Sequence, residues 1–135
     1  MRPISERWLG SHKTWLGYAF AVVAATAVTV LQWRLDWPGG LADYAQWARL
    51  GPACGLGAML GDSAKSLVKR RLGIAPGQRW VPADQLDFVL GGLLALAFWV
   101  ELGWLDVVLV LAMSFAATVL VNRIAYAIGV KNVPW

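Results

Sequence analysis

Charge is what this chain of 135 residues has least of: Asp, Glu, Lys and Arg together make up 15% of it, against about 25% in soluble domains. Hydrophobic residues make up 59%, and mean hydropathy is +0.55. Long runs with almost no charge exclude an ordinary soluble core and point the apolar side chains at lipid. Cysteine is nearly absent. The single Cys54 excludes an intramolecular disulfide and a cysteine-based zinc site; in its apolar, glycine-rich run it reads as a small packed residue. No apolar run follows the polar start MRPISERWLGSHKTW at the distance a cleavable signal needs, so no signal peptide is expected. Repeats and low-complexity segments are lacking too. The formal charge of +4 is spread over loops beside apolar runs, which suits topology signals and anion sites and argues against nucleic acid as a partner.

What is present divides into apolar runs and one long polar stretch, all within a single unit, 1–135. A first span is expected from Trp15 to Trp33, uncharged between its ends and close to the ~20 residues that cross a bilayer. Trp15, Tyr18 and Trp33 would mark the interfaces. Pro38, Gly39 and Gly40 then make a turn. A second span, Gln46 to Leu60, has Pro52 inside it and Arg49 near one end, where it can snorkel outward. Its Gly51-x-x-x-Gly55 and Gly57-x-x-x-Gly61 spacings allow helix backbones to approach closely, as in a helix surrounded by protein. A third span is expected over Leu86 to Val100 and a fourth over Val107 to Val121, with a tail from Asn122. The expected fold is therefore all-α and polytopic, with about four transmembrane helices and a polar loop between the second and third. Four spans put ten of the twelve Lys and Arg on the side of that loop and two, Arg34 and Arg49, on the other. The positive-inside rule places the loop in the cytoplasm and the chain in the cytoplasmic membrane.

The polar stretch runs from Gly61 to Phe88 and holds five of the twelve cations and three of the eight acids. If residues 62–71 continue the second span as helix, Asp62, Lys65, Ser66 and Lys69 share one face at i, i+3, i+4 and i+7. A carboxylate, a hydroxyl and two ammonium groups on one stripe suit a metal-bound polyphosphate, since ammonium groups neutralise phosphate oxygens and a carboxylate offers Mg²⁺ a hard oxygen. A capping Asp within a positive-inside cluster accounts for part of the same pattern, notably Arg70 and Arg71. A type II turn is expected at Ala75-Pro76-Gly77-Gln78. Asp84 and Asp87 then precede the third span. They read either as an N-cap and a first-turn acid or as a pair that holds divalent metal with Asp62. His12 and Lys13 lie on the same side; a lone His at a membrane edge is more often a bystander than a ligand. Asn122, Arg123, Tyr126 and Lys131 return polar groups to this face, as site residues or as an anchoring tail.

The segment GDSAKSLVKRRLGIAPGQRWVPADQLDFVLG, from Gly61, resembles the signature region of the CDP-archaeol synthase family of membrane CTP-dependent cytidylyltransferases. GSHKTWLG (Gly10–Gly17) and VNRIAYAIGVKNVPW (Val121–Trp135) resemble that family's other two segments, in the same order. The family is similar to phosphatidate cytidylyltransferases, which also pair an S-x-x-K-R element with a later D-x-x-D element; here these are Ser66-Leu67-Val68-Lys69-Arg70 and Asp84-Gln85-Leu86-Asp87. The resemblance implies a helical membrane fold with a charged cytoplasmic cavity for CTP and Mg²⁺. It implies metal carboxylates at Asp62, Asp84 and Asp87, with Lys69 beside them in catalysis. Phosphate and nucleotide contacts are implied at Lys65, Ser66, Lys69 and Arg70, with His12, Lys13 and Asn122 near the cavity.

The implied reaction joins CTP to a lipid phosphate and releases pyrophosphate, in phospholipid biosynthesis. A phosphomonoester with a second pKa near ~6 is already largely a dianion at neutral pH and needs no general base, which suits a loop without histidine. Family members carry a further helix before the HKTW segment, where this chain has only the fourteen residues that precede Trp15. That leaves a truncated sequence or a shorter subfamily, with a homo-oligomer open, and a non-catalytic structural or regulatory protein as the alternative. The longer aspartate pattern of CDP-alcohol phosphotransferases is not found.

Overall fold

The computed structural model describes residues 14–36, 38–75, 78 and 80–132. The described residues form four α-helices and one short 3-10 turn. Helix α1 spans Trp15–Leu35. Thr14 starts it by accepting the Gly17 N–H on its hydroxyl at 3.2 Å, which satisfies one of the donors a helix leaves free at its first turn. Arg34 in the last turn suits the negative end of the helix dipole. The chain then turns through Gly39, at φ +85°, into the 3-10 segment Tyr44–Gln46, which Asp43 caps.

Helix α2, Trp47–Arg71, fuses the expected second span to the expected polar extension in one run of 25 residues. At 1.5 Å per residue that is about 37 Å. Pro52 falls near its start and does not end it. Its last turn carries Lys69, Arg70 and Arg71, cations favoured at a helix C-terminus. The stop is a left-handed Gly73 (φ +72°), with the Ile74 N–H on the Lys69 carbonyl at 2.9 Å and the Gly73 N–H on that of Arg70 at 3.2 Å. Those bonds form the glycine-terminated Schellman cap. The central Pro76 and Gly77 of the expected type II turn lie outside the described residues; Gln78 N–H closes back on the Ala75 carbonyl at 3.1 Å.

Helices α3, Ala83–Leu96, and α4, Trp104–Ala127, depart from the expected spans. α3 starts earlier than Leu86 and stops at Leu96, because residues 97–100 turn although they remain apolar. Its 14 residues reach only about 21 Å. α4 starts three residues before Val107 and continues through Asn122 and Arg123, which are helical and not tail. Nothing there breaks a helix until Gly129 (φ +76°), where a second cap puts the Val130 N–H on the Ala125 carbonyl at 2.9 Å. Of the four helices, α1 and α4 are long and apolar enough to cross a membrane.

α2 is the centre of the bundle, packed against α1 on one side and α3 on the other, while among the described elements α4 packs on α3 alone. The two glycine pairs of α2 serve different neighbours. Gly51 and Gly55 lie against Thr26, Ala21 and Val22 of α1; Gly57 and Gly61 lie against Gly91 and Asp87 of α3. Among the described residues the buried positions are more polar than the surface. Thr29, Ser63, Gln85 and Asp87 are buried, only Leu50 and Leu93 form an apolar core, and no α4 residue is buried. A protein with polar groups inside and Leu, Val, Phe and Trp outside has lipid as its solvent.

Candidate functional site

The C-terminal turns of α2 and the first turns of α3 meet, and their ionisable groups meet with them. Asp62 and Lys65 lie one turn apart on α2, with Lys65 Nζ 3.3 Å from Asp62 Oδ1. From that point Lys65 Nζ reaches across to α3, 3.3 Å from Asp84 Oδ1 and 2.8 Å from Asp87 Oδ2. One turn further along α2, Lys69 Nζ holds Asp84 through both oxygens, at 3.1 and 3.3 Å, and donates to the Gln78 carbonyl at 2.5 Å. The stripe read from helical periodicity is therefore real, and its partners are the two carboxylates of the D-x-x-D element.

Asp84 is not an N-cap. Pro82 occupies that position, and Asp84 sits in the first turn with Oδ2 accepting the Trp80 N–H at 2.7 Å. Asp87 lies beyond the first turn, so dipole stabilisation does not explain it either. Burial works to raise the Asp84 pKa. The Trp80 N–H and the Lys69 and Lys65 ammonium groups outweigh it and hold the carboxyl below the usual aspartate value. Asp87 is the deeper group, its side chain 4% exposed. Its contact with Lys65 is close but poorly aimed, and neither Asp87 oxygen accepts a well-angled hydrogen bond among the described residues.

Asp62, Asp84 and Asp87 offer the hard oxygens that a divalent cation takes and converge on one point, and Asp87 Oδ1 is buried with no hydrogen-bond donor among the described residues. As placed, Lys65 Nζ holds that point. Among the described residues no three His, Cys, Asp or Glu side chains are gathered tightly enough to take a metal ion directly.

The other expected residues are less concentrated. Ser66 donates its hydroxyl to the Asp62 backbone carbonyl at 2.9 Å, leaving oxygen lone pairs toward the site. Arg70 and Arg71 are exposed and pair with no carboxylate among the described residues. Asn122 accepts from Lys131 Nζ at 2.8 Å. His12 and Lys13 lie outside the described residues. α1 itself starts at this end of the bundle, since the Tyr18 hydroxyl meets Ser63 Oγ at 2.6 Å.

Two supports escaped the sequence reading. Trp80 and Gln78 contribute only backbone groups, which no residue type advertises. Gly91 lets α3 close on Gly57 and Gly61, and a Gly four residues after Asp87, on the same helix face, was its available signal.

Fold and site thus define a helical membrane protein that gathers carboxylates and ammonium groups where two helix ends meet. Residues 4–135 match the family model CarS-like, described as CDP-archaeol synthase. The CDP-archaeol synthase of Sulfurisphaera tokodaii is 36% identical over 131 residues, covering 96% of this chain and 75% of that protein. That of Sulfolobus acidocaldarius is also 36% identical, covering 96% and 76%. No solved structure matches the chain. The chain belongs to the CDP-archaeol synthase family, and as a member of it is an enzyme of the nucleotidyltransferase class.

Proposed function

We propose that this protein transfers CMP from CTP to a lipid phosphate, releasing pyrophosphate, as a step of phospholipid biosynthesis. A phosphate oxygen of the lipid attacks the α-phosphorus of CTP, and the bond to the β-phosphate oxygen breaks as pyrophosphate leaves. The observation that carries this reading is the meeting of Asp62, Asp84 and Asp87 with Lys65 and Lys69 at one point between α2 and α3. The chemical obstacle is repulsion between two polyanions, which the ammonium groups, together with a divalent cation held by the carboxylates, would relieve. Lys65, Lys69 and Arg70 bind phosphate oxygens, and Ser66 adds a hydroxyl. His12, Lys13 and Asn122 border the nucleotide. Mg²⁺, held by Asp62, Asp84 and Asp87, would neutralise charge on the polyphosphate when bound. The lipid phosphate, already a dianion, requires no base from the protein.

The same reading places the chain in the cytoplasmic membrane as a multi-pass protein. α1 and α4 face lipid, the shorter α3 and more polar α2 form the inner pair, and the 61–88 loop faces the cytoplasm, where CTP is found. The excess of cations on that side supports this orientation.

The test uses the purified chain in lipid or detergent with labelled CTP, Mg²⁺, and either an archaeol-type ether lipid phosphate or diacyl phosphatidic acid. A CDP-lipid with equimolar pyrophosphate is the expected result, and the acceptor that turns over names the lipid class. Bound CTP with no product from either acceptor would overturn the reaction.

A further inference from the structure

Lys65 is placed unlike the other cations of this end. Arg70 and Arg71 stand exposed, and Lys69 divides its ammonium between Asp84 and the Gln78 carbonyl. The Lys65 ammonium has carboxylates on every side that the structure describes: Asp62 and Asp84 at 3.3 Å, Asp87 at 2.8 Å. Its side chain is 15% exposed, so these contacts are poorly screened by water. The cluster is also unfinished. Asp87 is almost fully buried, yet among the described residues its Oδ1 has no donor and its Oδ2 meets the ammonium off-angle. A buried carboxylate normally gathers several directed hydrogen bonds. One that gathers none is shaped for a ligand that attracts oxygen by charge without directed donors, and a metal ion is such a ligand.

We propose that the Lys65 ammonium is the resident counter-cation of the Asp62–Asp84–Asp87 cluster, keeping the place of the divalent cation and leaving it for the nucleotide phosphates when that cation enters. The proposal rests on reading the cluster as the metal centre. Two cations within a few ångströms repel strongly in a poorly screened site, so the metal and the ammonium exclude each other. Lys is suited to the exchange, being a point charge on a flexible four-carbon stem. Once displaced it lies on the α2 face that also carries Lys69, where triphosphate oxygens would receive it. Metal and nucleotide then bind with positive coupling, because the nucleotide supplies the anion that the displaced ammonium has lost.

The test is Mn²⁺ binding to the purified full chain without nucleotide, followed by electron paramagnetic resonance. Removing the competitor in Lys65→Met should tighten Mn²⁺ binding at least about tenfold, while Lys65→Arg, which keeps the charge, should not tighten it. Unchanged or weaker Mn²⁺ binding by folded Lys65→Met overturns the proposal. A second measurement avoids dependence on a variant that may fold poorly. In the unaltered protein, saturating Mn²⁺ should raise acylation of Lys65 by a small amine-reactive activated ester severalfold, read by mass spectrometry. Constant labelling overturns the proposal even if the metal binds. Absence of Mn²⁺ binding in every form, with and without CTP, would instead bring down the metal-centre reading and this inference with it.

Discussion

Gly91 of α3 sits against Gly61 of α2 so closely that a Cβ on Gly91 would stand 2.9 Å from the Gly61 backbone nitrogen and press into the Gly57 carbonyl. Gly61 is one turn before Lys65, and Gly91 one turn after Asp87, so this approach fixes how near ammonium and carboxylate come. Gly91→Ala must push the helices apart, since the obstacles are backbone atoms that cannot rotate away. Overpacking of that kind costs about 1–3 kcal/mol, and a displacement of about 1 Å at a reacting centre can lower turnover about 100-fold. Turnover should therefore fall much further than thermal stability. Equal activity in Gly91→Ala and the parent would show that the site does not depend on this spacing.

Asp84 and Asp87 should separate by substitution. In Asp84→Asn the side-chain oxygen can still accept the Trp80 N–H, so the chain should fold, while turnover should be lost with the carboxylate charge. Asp87→Asn removes the charge facing Lys65 from a nearly closed position, where breaking an ion pair costs about 3–5 kcal/mol. It should lose both turnover and several degrees of melting temperature. Measuring turnover beside thermal unfolding in detergent checks both. Full activity in the two variants would return these residues to a structural role.

Helical periodicity was enough to place Asp62, Lys65, Ser66 and Lys69 on one stripe, because α2 continues unbroken from Trp47 to Arg71. It could not say that Lys65 would stand among three carboxylates. That depends on how α3 crosses α2, which glycine contacts decide and side-chain chemistry does not announce. Helix ends were misread for a related reason. Hydropathy continues past Leu96 through Phe98 and Trp99 although the helix stops, and it falls at Asn122 although the helix goes on. Lipid compatibility and helical hydrogen bonding are separate properties. The glycine stop at Gly129 was the better marker of the α4 end.

Acid should weaken the metal-free protein in a specific way. The Asp84 carboxyl is held below its ordinary pKa, so it contributes stability that is fully present above the unfolded value, about 3.9. That contribution is lost as pH falls through the lower folded value. Melting temperature should thus owe nothing to Asp84 titration between neutrality and about pH 5, and should decline below about pH 4. Asp84→Asn should flatten this part of the acid limb. An acid limb of the same size in Asp84→Asn would assign it to other groups.

The Tyr18 hydroxyl ties the start of α1 to α2, at 2.6 Å from Ser63 Oγ and 3.3 Å from the Met59 carbonyl. Ser63 is buried, so Tyr18→Phe leaves its hydroxyl without that partner among the described residues. The net worth of such a bond is about 0.5–1.5 kcal/mol, and an unsatisfied buried group can raise the cost to about 3 kcal/mol. The tie also holds the start of α1 at the carboxylate end of α2 and not at the far end. Tyr18→Phe should therefore lower the melting temperature by a few degrees and, by loosening the start of α1 beside the site, raise the KM for CTP more than it lowers kcat. A loss confined to kcat would mean instead that the α1–α2 contact acts through the position of Lys65, two residues along α2 from Ser63.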